Sequence, residues 1–416
     1  MNDESQNQYM KGADNRKLMA ALSSSNGRAH LKYESQAKPS YPMLDFKLED
    51  IFTEETLLIS LGIELKKKKA AGDDGKDVDT FVKEFTPSKR LDLRNHLING
   101  TYYPKRLRMV EIPKANGKMR RISIPSVQDR VVQRILSCQL GMILEPLLNS
   151  NTMGYRSGIN AEDALLKCSQ FIRSGYEVLE TDIESFYDSV NRDRLMANLK
   201  RLTTNSEVHL LVKRFNEVNR VFDGKVLTTP KLGIPQGNSL SPVLSNLYLM
   251  DLDSNIIRAG FQFVRYADDL VIFFMKNSVN GQGALPYLQK WLRELGLNPN
   301  DDKTKVIDLE RGDSFKFLGL DVYPDGRVSH LGKRIEGLAE FSEFIPLLRK
   351  NDPHGWNVDS VSRVLRSLSS VYIQRLNFIP NLRFSHIETE EKIQALIKAL
   401  NEILSQKGEI RRLAKT

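Results

Sequence analysis

Two acidic clusters stand where apolar, strand-like runs end. Asp182 closes the run Tyr176–Ile183, and Asp268-Asp269 interrupts the run Val264–Phe274. Adjacent carboxylates repel, and strands disfavour aspartate, so folding alone gives little reason for this pattern. A bound divalent cation removes the conflict. Mg²⁺ takes hard oxygen ligands in octahedral geometry and keeps some of its waters. Two such ions roughly 4 Å apart serve an in-line displacement at phosphorus, activating the attacking hydroxyl and stabilising the leaving oxygen. The plain alternative for the pair taken alone is an exposed hairpin tip that tolerates acids.

The elements that must carry these residues are legible around them. The strands flanking Asp268-Asp269 make a hairpin with the acids at its tip. A second hairpin is expected over Arg106–Ile112 and Lys118–Ile124, joined at Asn116-Gly117, a strong short hairpin signal. A third is expected over Phe315–Val322 and Arg327–His330 around Pro324-Asp325-Gly326. Helical periodicity covers Ile51–Leu65, 87–96, Asp129–Leu144, 161–174, Leu285–Leu295 and the chain beyond about residue 333. In Asp129–Leu144 the charged residues Asp129, Arg130 and Arg134 alternate with Val131, Val132, Ile135 and Leu136.

The chain has 416 residues, enough for two or three domains. Its 61 Lys and Arg against 52 Asp and Glu give a net charge of +9, which suits a polyanionic partner. Cys138 and Cys168 are too few for a four-cysteine zinc site and read as buried thiols of a reducing cytoplasm. The polar start predicts no signal peptide, and no apolar run is long enough for a membrane span. His96, His209, His386 and the other histidines show no metal-ligand spacing.

Tyr266-Ala267-Asp268-Asp269 has the form of the Y-x-D-D motif of reverse transcriptases. Thr181–Asp188 resembles their first catalytic motif, and Gly233–Pro242 resembles the intervening G-x-P-Q-G-x-x-x-S-P motif. Leu297–Lys305 and Phe317-Leu318-Gly319 resemble the two motifs that follow, all in the family's order. Upstream, residues 70–81, Ile112-Pro113-Lys114, Asn116-Gly117-Lys118, Arg120, Asp129–Gln133, Glu145-Pro146 and Gly154–Gly158 resemble bacterial group II intron-type enzymes. The resemblance covers about residues 50–325.

It implies an α+β right-hand polymerase fold. Residues 1–45 would be a polar, loosely docked arm and 46–175 the fingers with the first palm segments. Residues 176–325 would be the palm, and 326–416 a helical thumb and RNA-binding region. It also implies two Mg²⁺ ions, with Mn²⁺ as a substitute, held by Asp182, Asp268, Asp269 and the Ile183 carbonyl. Lys303 could donate a proton to the leaving pyrophosphate. Lys114 and Arg120 would grip the deoxynucleoside triphosphate; alternate strand residues face opposite ways, so Arg121 stays open as the rival of Arg120. Tyr187 would lie under the sugar and reject a 2′-hydroxyl, while Gln236 and Gly237 would lie beside the templating pair.

The partners implied are an RNA template, deoxynucleotides and a cDNA product, with no membrane. The chain lacks a Cys- or His-rich endonuclease tail, a ribonuclease H acidic set and the Val-Thr-Gly thumb motif of retron enzymes. It therefore looks closest to the bacterial "unknown group" enzymes, including the class 2 defence-associated reverse transcriptases that pair with a neighbouring non-coding RNA. An intron-encoded maturase lacking an endonuclease, a non-catalytic RNA-binding maturase-like protein and an RNA-dependent RNA polymerase are the rivals. The priming hydroxyl could come from RNA, DNA or a protein side chain.

Overall fold

The computed structural model describes residues 14–24, 46–67, 70–113, 117, 119–172, 176–275, 283–326 and 328–329. Nearly all of the thumb expected over 326–416 and most of the arm expected over 1–45 therefore lie outside the described residues, as do Lys114 and Asn116. Strands are numbered along the chain: β1 Leu107–Pro113, β2 Met119–Ile124, β3 Tyr176–Asp182, β4 Arg220–Phe222, β5 Lys225–Leu227, β6 Gln262–Tyr266, β7 Asp269–Met275, β8 Lys305–Asp308, β9 Phe315–Phe317, β10 Leu320–Val322 and β11 Val328–Ser329. The chain forms two compact units. The first holds Met1–Ser150, Ile183–Ala259 and Tyr287–Asn300, and the second Asn151–Asp182, Gly260–Pro286 and Asp301–Thr416.

In the first unit the helix Val127–Leu144 is the centre. Ser126 caps it by accepting from the Asp129 N–H. The helix Glu54–Lys67 packs along it, and a helix at Asn15–Ser24 packs on both. That last element lies inside the segment expected to be a loosely docked arm; its Leu18, Ala21 and Leu22 are buried. A stripe so short among polar residues gives too weak a periodicity to see in sequence. The charged residues that alternate with apolar ones in Val127–Leu144 are turned inward: Asp129, Arg130 and Arg134 are all buried. Asp129 accepts from the Tyr102 and Ser126 hydroxyls, each at 2.6 Å, and from the Lys105 N–H at 3.1 Å. Burial still pushes its carboxyl above the usual range.

The sheet of this unit runs β2-β1-β4-β5. β1 and β2 form the expected antiparallel hairpin, with Ile112 opposite Arg120 and Glu111 opposite Arg121. β4 adds to β1 in parallel. The helices Arg192–Leu202, Ser206–Glu217 and Ser241–Arg258, which were not among the expected elements, belong to the same unit, and the first packs on the other two.

The second unit is built on an antiparallel sheet of order β6-β7-β3-β8. Leu270–Phe274 are all buried, so β7 is covered on both faces and reads as an unbroken apolar run. The helix Ala161–Phe171 packs on β6, and the small sheet β11-β10-β9 packs its Phe315, Phe317 and Val322 into the same core as Val178, Val264, Val271 and Phe273. Cys168 is buried in that core, whereas Cys138 of the first unit is half-buried; burial pushes the Cys138 thiol up to about 11. Among the described residues, no helix is long and apolar enough to cross a membrane.

Candidate active site

β3 lies between β7 and β8, and its register with β7 ends on the pair Asp182 and Asp269. Directly opposed Cα atoms in an antiparallel ladder are about 4.5–5.5 Å apart. Asp268 precedes Asp269 in the tight turn from β6, where Tyr266 is the cross-strand partner of Asp269. The turn closes because Ala267 adopts a left-handed φ of 62°. The second unit thus brings together the three aspartates that the sequence singles out.

Their electrostatics is that of carboxylates held close together. Burial first, then the charges of Asp268 and Asp182, pushes the Asp269 carboxyl up to about 7. Glu180, two residues before Asp182 on β3, adds to the repulsion, and Lys303 opposes it. The Lys303 Nζ donates to Asp182 Oδ2 at 2.7 Å. Partial burial works against its charge, but the hydrogen bond and the nearby aspartates outweigh that and hold its pKa above the ordinary lysine value. Thr181 Oγ1 and Thr304 Oγ1, 2.8 Å apart, tie β3 to the segment carrying Lys303. Among the described residues no three His, Cys, Asp or Glu side chains form a ready-made metal cage. Mutual repulsion of carboxylates is a physical reason for an open arrangement, and the donors are still the hard oxygens that Mg²⁺ takes.

The first unit carries the remaining described candidates. Ile183 is buried and bridges Pro299, while Glu184 N–H donates to Asn298 O at 3.0 Å. Tyr187 is half-buried, its ring edge-on to Phe186 at 5.4 Å. The segment Gly233–Gly237 links Tyr187 to β2. Ile234 N–H donates to Tyr187 O at 2.8 Å, and Ser123 N–H of β2 donates to Gln236 O at 2.7 Å. Gly237 has φ of 104°, and a Cβ there would sit 2.6 Å from Ile122 Cγ2, so only glycine allows this approach.

That contact settles the facing of the two arginines. Ile122 and Arg120 alternate onto the same face of β2, the one against Gly237. Arg121 lies on the opposite face, where its Nε donates to Glu111 at 3.0 Å and its guanidinium lies 5.6 Å from the Phe222 ring centroid. Sequence alone could not decide this, because the facing depends on which segment packs on which side. Sequence reasoning also gave no role to Glu180 or Arg265. Strand alternation puts Glu180 on the face of Asp182 and could have flagged it; an arginine inside an otherwise apolar run was the available signal for Arg265.

Comparison with known proteins follows this geometry. A family described as reverse transcriptase (RNA-dependent DNA polymerase) matches residues 112–322, half of the chain. The protein YkfC of Escherichia coli is 28% identical over 268 residues, 55% of this chain and 69% of that one. The group II intron-encoded protein LtrA of Lactococcus lactis is 27% identical over 195 residues, 47% of this chain and 32% of LtrA. Among solved structures, telomerase from Candida tropicalis is similar with a TM-score of 0.44 and 17% identity, covering 55% of each chain. The chain spans about a third of the length of the curated intron proteins it matches. The chain belongs to the reverse transcriptase (RNA-dependent DNA polymerase) family, whose fold is the α+β right-hand polymerase.

Proposed function

We propose that this chain copies an RNA template into DNA by two-metal nucleotidyl transfer. The observation that carries the reading is the register of Asp182 with Asp269 beside Asp268, which leaves Asp269 with a carboxyl at about 7. Such a cluster gathers carboxylates against their mutual repulsion, which a divalent ion would relieve. Asp182, Asp268, Asp269 and the Ile183 carbonyl would hold two Mg²⁺, or Mn²⁺ in their place. When bound, the ions supply activation of the primer hydroxyl and stabilisation of the leaving pyrophosphate. Lys303 keeps its proton and is the candidate acid for the pyrophosphate. Arg120, facing Gly237, and Lys114 grip the triphosphate. Tyr187 underlies the sugar, and Gln236 and Gly237 flank the templating pair. Residues 46–175 act as fingers, 176–325 as palm and 326–416 as thumb, with 1–45 as an accessory arm.

The finer reading is a cytoplasmic enzyme templated by a dedicated non-coding RNA in antiphage defence. The basic balance of the chain supports an RNA partner. Intron mobility is the second reading, favoured by the likeness to LtrA. Sequencing the RNA bound to the purified protein separates them: one small structured RNA is expected for defence, intron flanks for mobility, and random cellular RNA counts against both.

Primed synthesis on an RNA template tests the chemistry. Asp268→Ala/Asp269→Ala should abolish synthesis while RNA binding persists, since affinity rests on Lys and Arg contacts to phosphates. Near wild-type synthesis by that variant sinks the mechanism. Tyr187→Ala should raise ribonucleotide use relative to deoxynucleotide use by on the order of 10- to 100-fold, the rate equivalent of relieving an overpacked contact. An unchanged ratio in a folded variant removes Tyr187 from the sugar site.

A further inference from the structure

We propose that Arg265 and the segment Asn151–Gly154 form a clamp that positions the turn carrying Asp268 and Asp269. The inference rests on the reading of those aspartates as metal ligands, and adds residues to which that reading gives no role.

The turn needs holding. Ala267 sits at φ of 62°, a left-handed region that strains a non-glycine residue. It immediately precedes Asp268, so any relaxation of its backbone moves both carboxylates. Arg265 is fully buried, an expensive place for a guanidinium unless its donors are used. Its NH1 donates to Ala267 O at 3.0 Å and so fixes the peptide that leads into Asp268.

The other half of the clamp is backbone. Arg265 N–H donates to Asn151 O at 3.0 Å, and Arg265 O accepts from Met153 N–H at 2.7 Å. Thr152, itself fully buried, bridges Arg265 in parallel, and its carbonyl is held by Arg156 NH1 at 2.9 Å. Gly154 then presses against the turn. A Cβ there would collide with Ala267 N and lie 2.9 Å from the Tyr266 carbonyl carbon. The turn is therefore pinned by Arg265 through the Ala267 carbonyl and by Gly154 against the Tyr266–Ala267 peptide. This gives the Gly154–Gly158 motif, unused by the chemistry above, a physical task.

A positioning role and a merely structural one differ in their readouts. The full chain is assayed on poly(rA) primed with oligo(dT), with kcat, KM for dTTP, the Mg²⁺ dependence and the melting temperature measured together. Arg265→Met and Gly154→Ala should lower kcat on the order of 10- to 100-fold, as expected for a misplacement of about 1 Å. They should also raise the Mg²⁺ concentration needed for half-maximal rate, with KM for dTTP little changed. Arg265→Lys, which keeps a donor, should retain part of the rate. Ala267→Gly removes the strain the clamp opposes, so it should rescue part of kcat in the Arg265→Met background. Should Arg265→Met fail to fold, Gly154→Ala and Ala267→Val, which act on the same turn with Arg265 intact, carry the test. Wild-type kcat and Mg²⁺ dependence in these folded variants would overturn the clamp. So would a loss that follows melting temperature alone and is not rescued by Ala267→Gly. Asp268→Ala, assayed alongside, separates the two claims. If it is inactive while the clamp variants are unaffected, only the clamp falls; if it is active, the reading of the aspartates falls first.

Discussion

The molecule contains two clusters of opposed charge, one in each unit, and they are built on opposite arithmetic. In the first unit Glu64 is buried between two guanidiniums. Arg130 Nε lies 2.8 Å from Glu64 Oε2, and Arg134 donates to the other carboxylate oxygen. Arg130 NH1 also donates to Ala70 O at 2.9 Å and Pro125 O at 3.0 Å. The carboxylate is closed in by two guanidiniums, so the group carries a net positive charge, and Arg130 NH2 and Arg134 Nε are left buried without a hydrogen-bond partner among the described residues. In the second unit Lys303 pairs with Asp182, yet burial and the charges of Asp268, Asp182 and Glu180 still push the Asp269 carboxyl up. Folding sets opposite charges against one another in the first cluster and like charges against one another in the second, where an ion from outside can relieve the repulsion. The difference separates a structural ion group from a functional one: buried charge as such marks neither, and carboxylates gathered against their own repulsion mark the site.

The largest effect on stability should come from breaking the closed cluster. Glu64→Ala leaves two buried guanidiniums facing each other with no carboxylate, and removal of one member of a buried ion group costs about 3–5 kcal/mol. Urea denaturation of the variant checks this. A loss below about 1 kcal/mol would mean that water or a carbonyl replaces Glu64, and that the group is not closed as described. Glu64→Gln, which keeps the volume and an acceptor, should fall between wild type and Glu64→Ala.

The two clusters were unequally legible in the sequence. The open one announced itself, because adjacent aspartates at the tip of two apolar runs have no folding rationale and their spacing to Asp182 and Lys303 repeats a family pattern. The hairpins of β1–β2 and β6–β7 were legible for a similar reason: their turn residues and apolar runs are local signals. The closed cluster was not legible. Arg130 and Arg134 alternate with apolar residues on one helix, which reads as an ordinary amphipathic pattern until Glu64, 66 residues from Arg130, arrives on a neighbouring helix. The helix Asn15–Ser24 was hidden because its burial depends on two partner helices distant in sequence. The facing of Arg120 needed the contact of Gly237 with Ile122, also a tertiary fact. What local chemistry decides was readable; what non-local packing decides was not.

An intermediate effect should appear at Asp269, and it has a definite pH signature. A carboxyl raised in the folded state to about 7, against about 3.9 when unfolded, favours the folded state only while protonated. Its contribution is fully present below about pH 4 and is lost as pH rises through about 7. Without divalent ions, wild-type thermal stability should therefore decline across that window, and Asp269→Asn should flatten the decline. Adding Mg²⁺ at pH 8 should raise the melting temperature of the wild type more than that of Asp269→Asn. Identical pH profiles in the two proteins would show that the repulsion is relieved by groups of the chain and would erase the contrast with Glu64.

The smallest effect on stability should come from Lys303. Its pair with Asp182 is short at 2.7 Å, but the lysine side chain is 59% exposed. Exposed pairs are screened by water and salt and contribute about 0–1 kcal/mol. Lys303→Met should therefore unfold in urea almost as the wild type does, unlike Glu64→Ala. Its effect on rate is another matter. If Lys303 protonates the leaving pyrophosphate, its removal costs on the order of 10²–10⁴-fold in kcat, the range of general acid catalysis. The held proton also sets a direction with pH. The pKa of Lys303 lies above the ordinary lysine value, so the wild-type rate should show no loss from this group until strongly alkaline pH. Lys303→Arg should keep the charge beside Asp182 but donate its proton poorly, because a guanidinium does not deprotonate in this range. Stability near wild type with a deep loss of kcat in both variants would place Lys303 in the chemistry. Equal, small losses of stability and rate would leave it as a surface counterion of Asp182. The carboxylate cluster would then have Lys303 as a minor, solvent-screened counterion and depend mainly on the metal, which sharpens the contrast with Glu64.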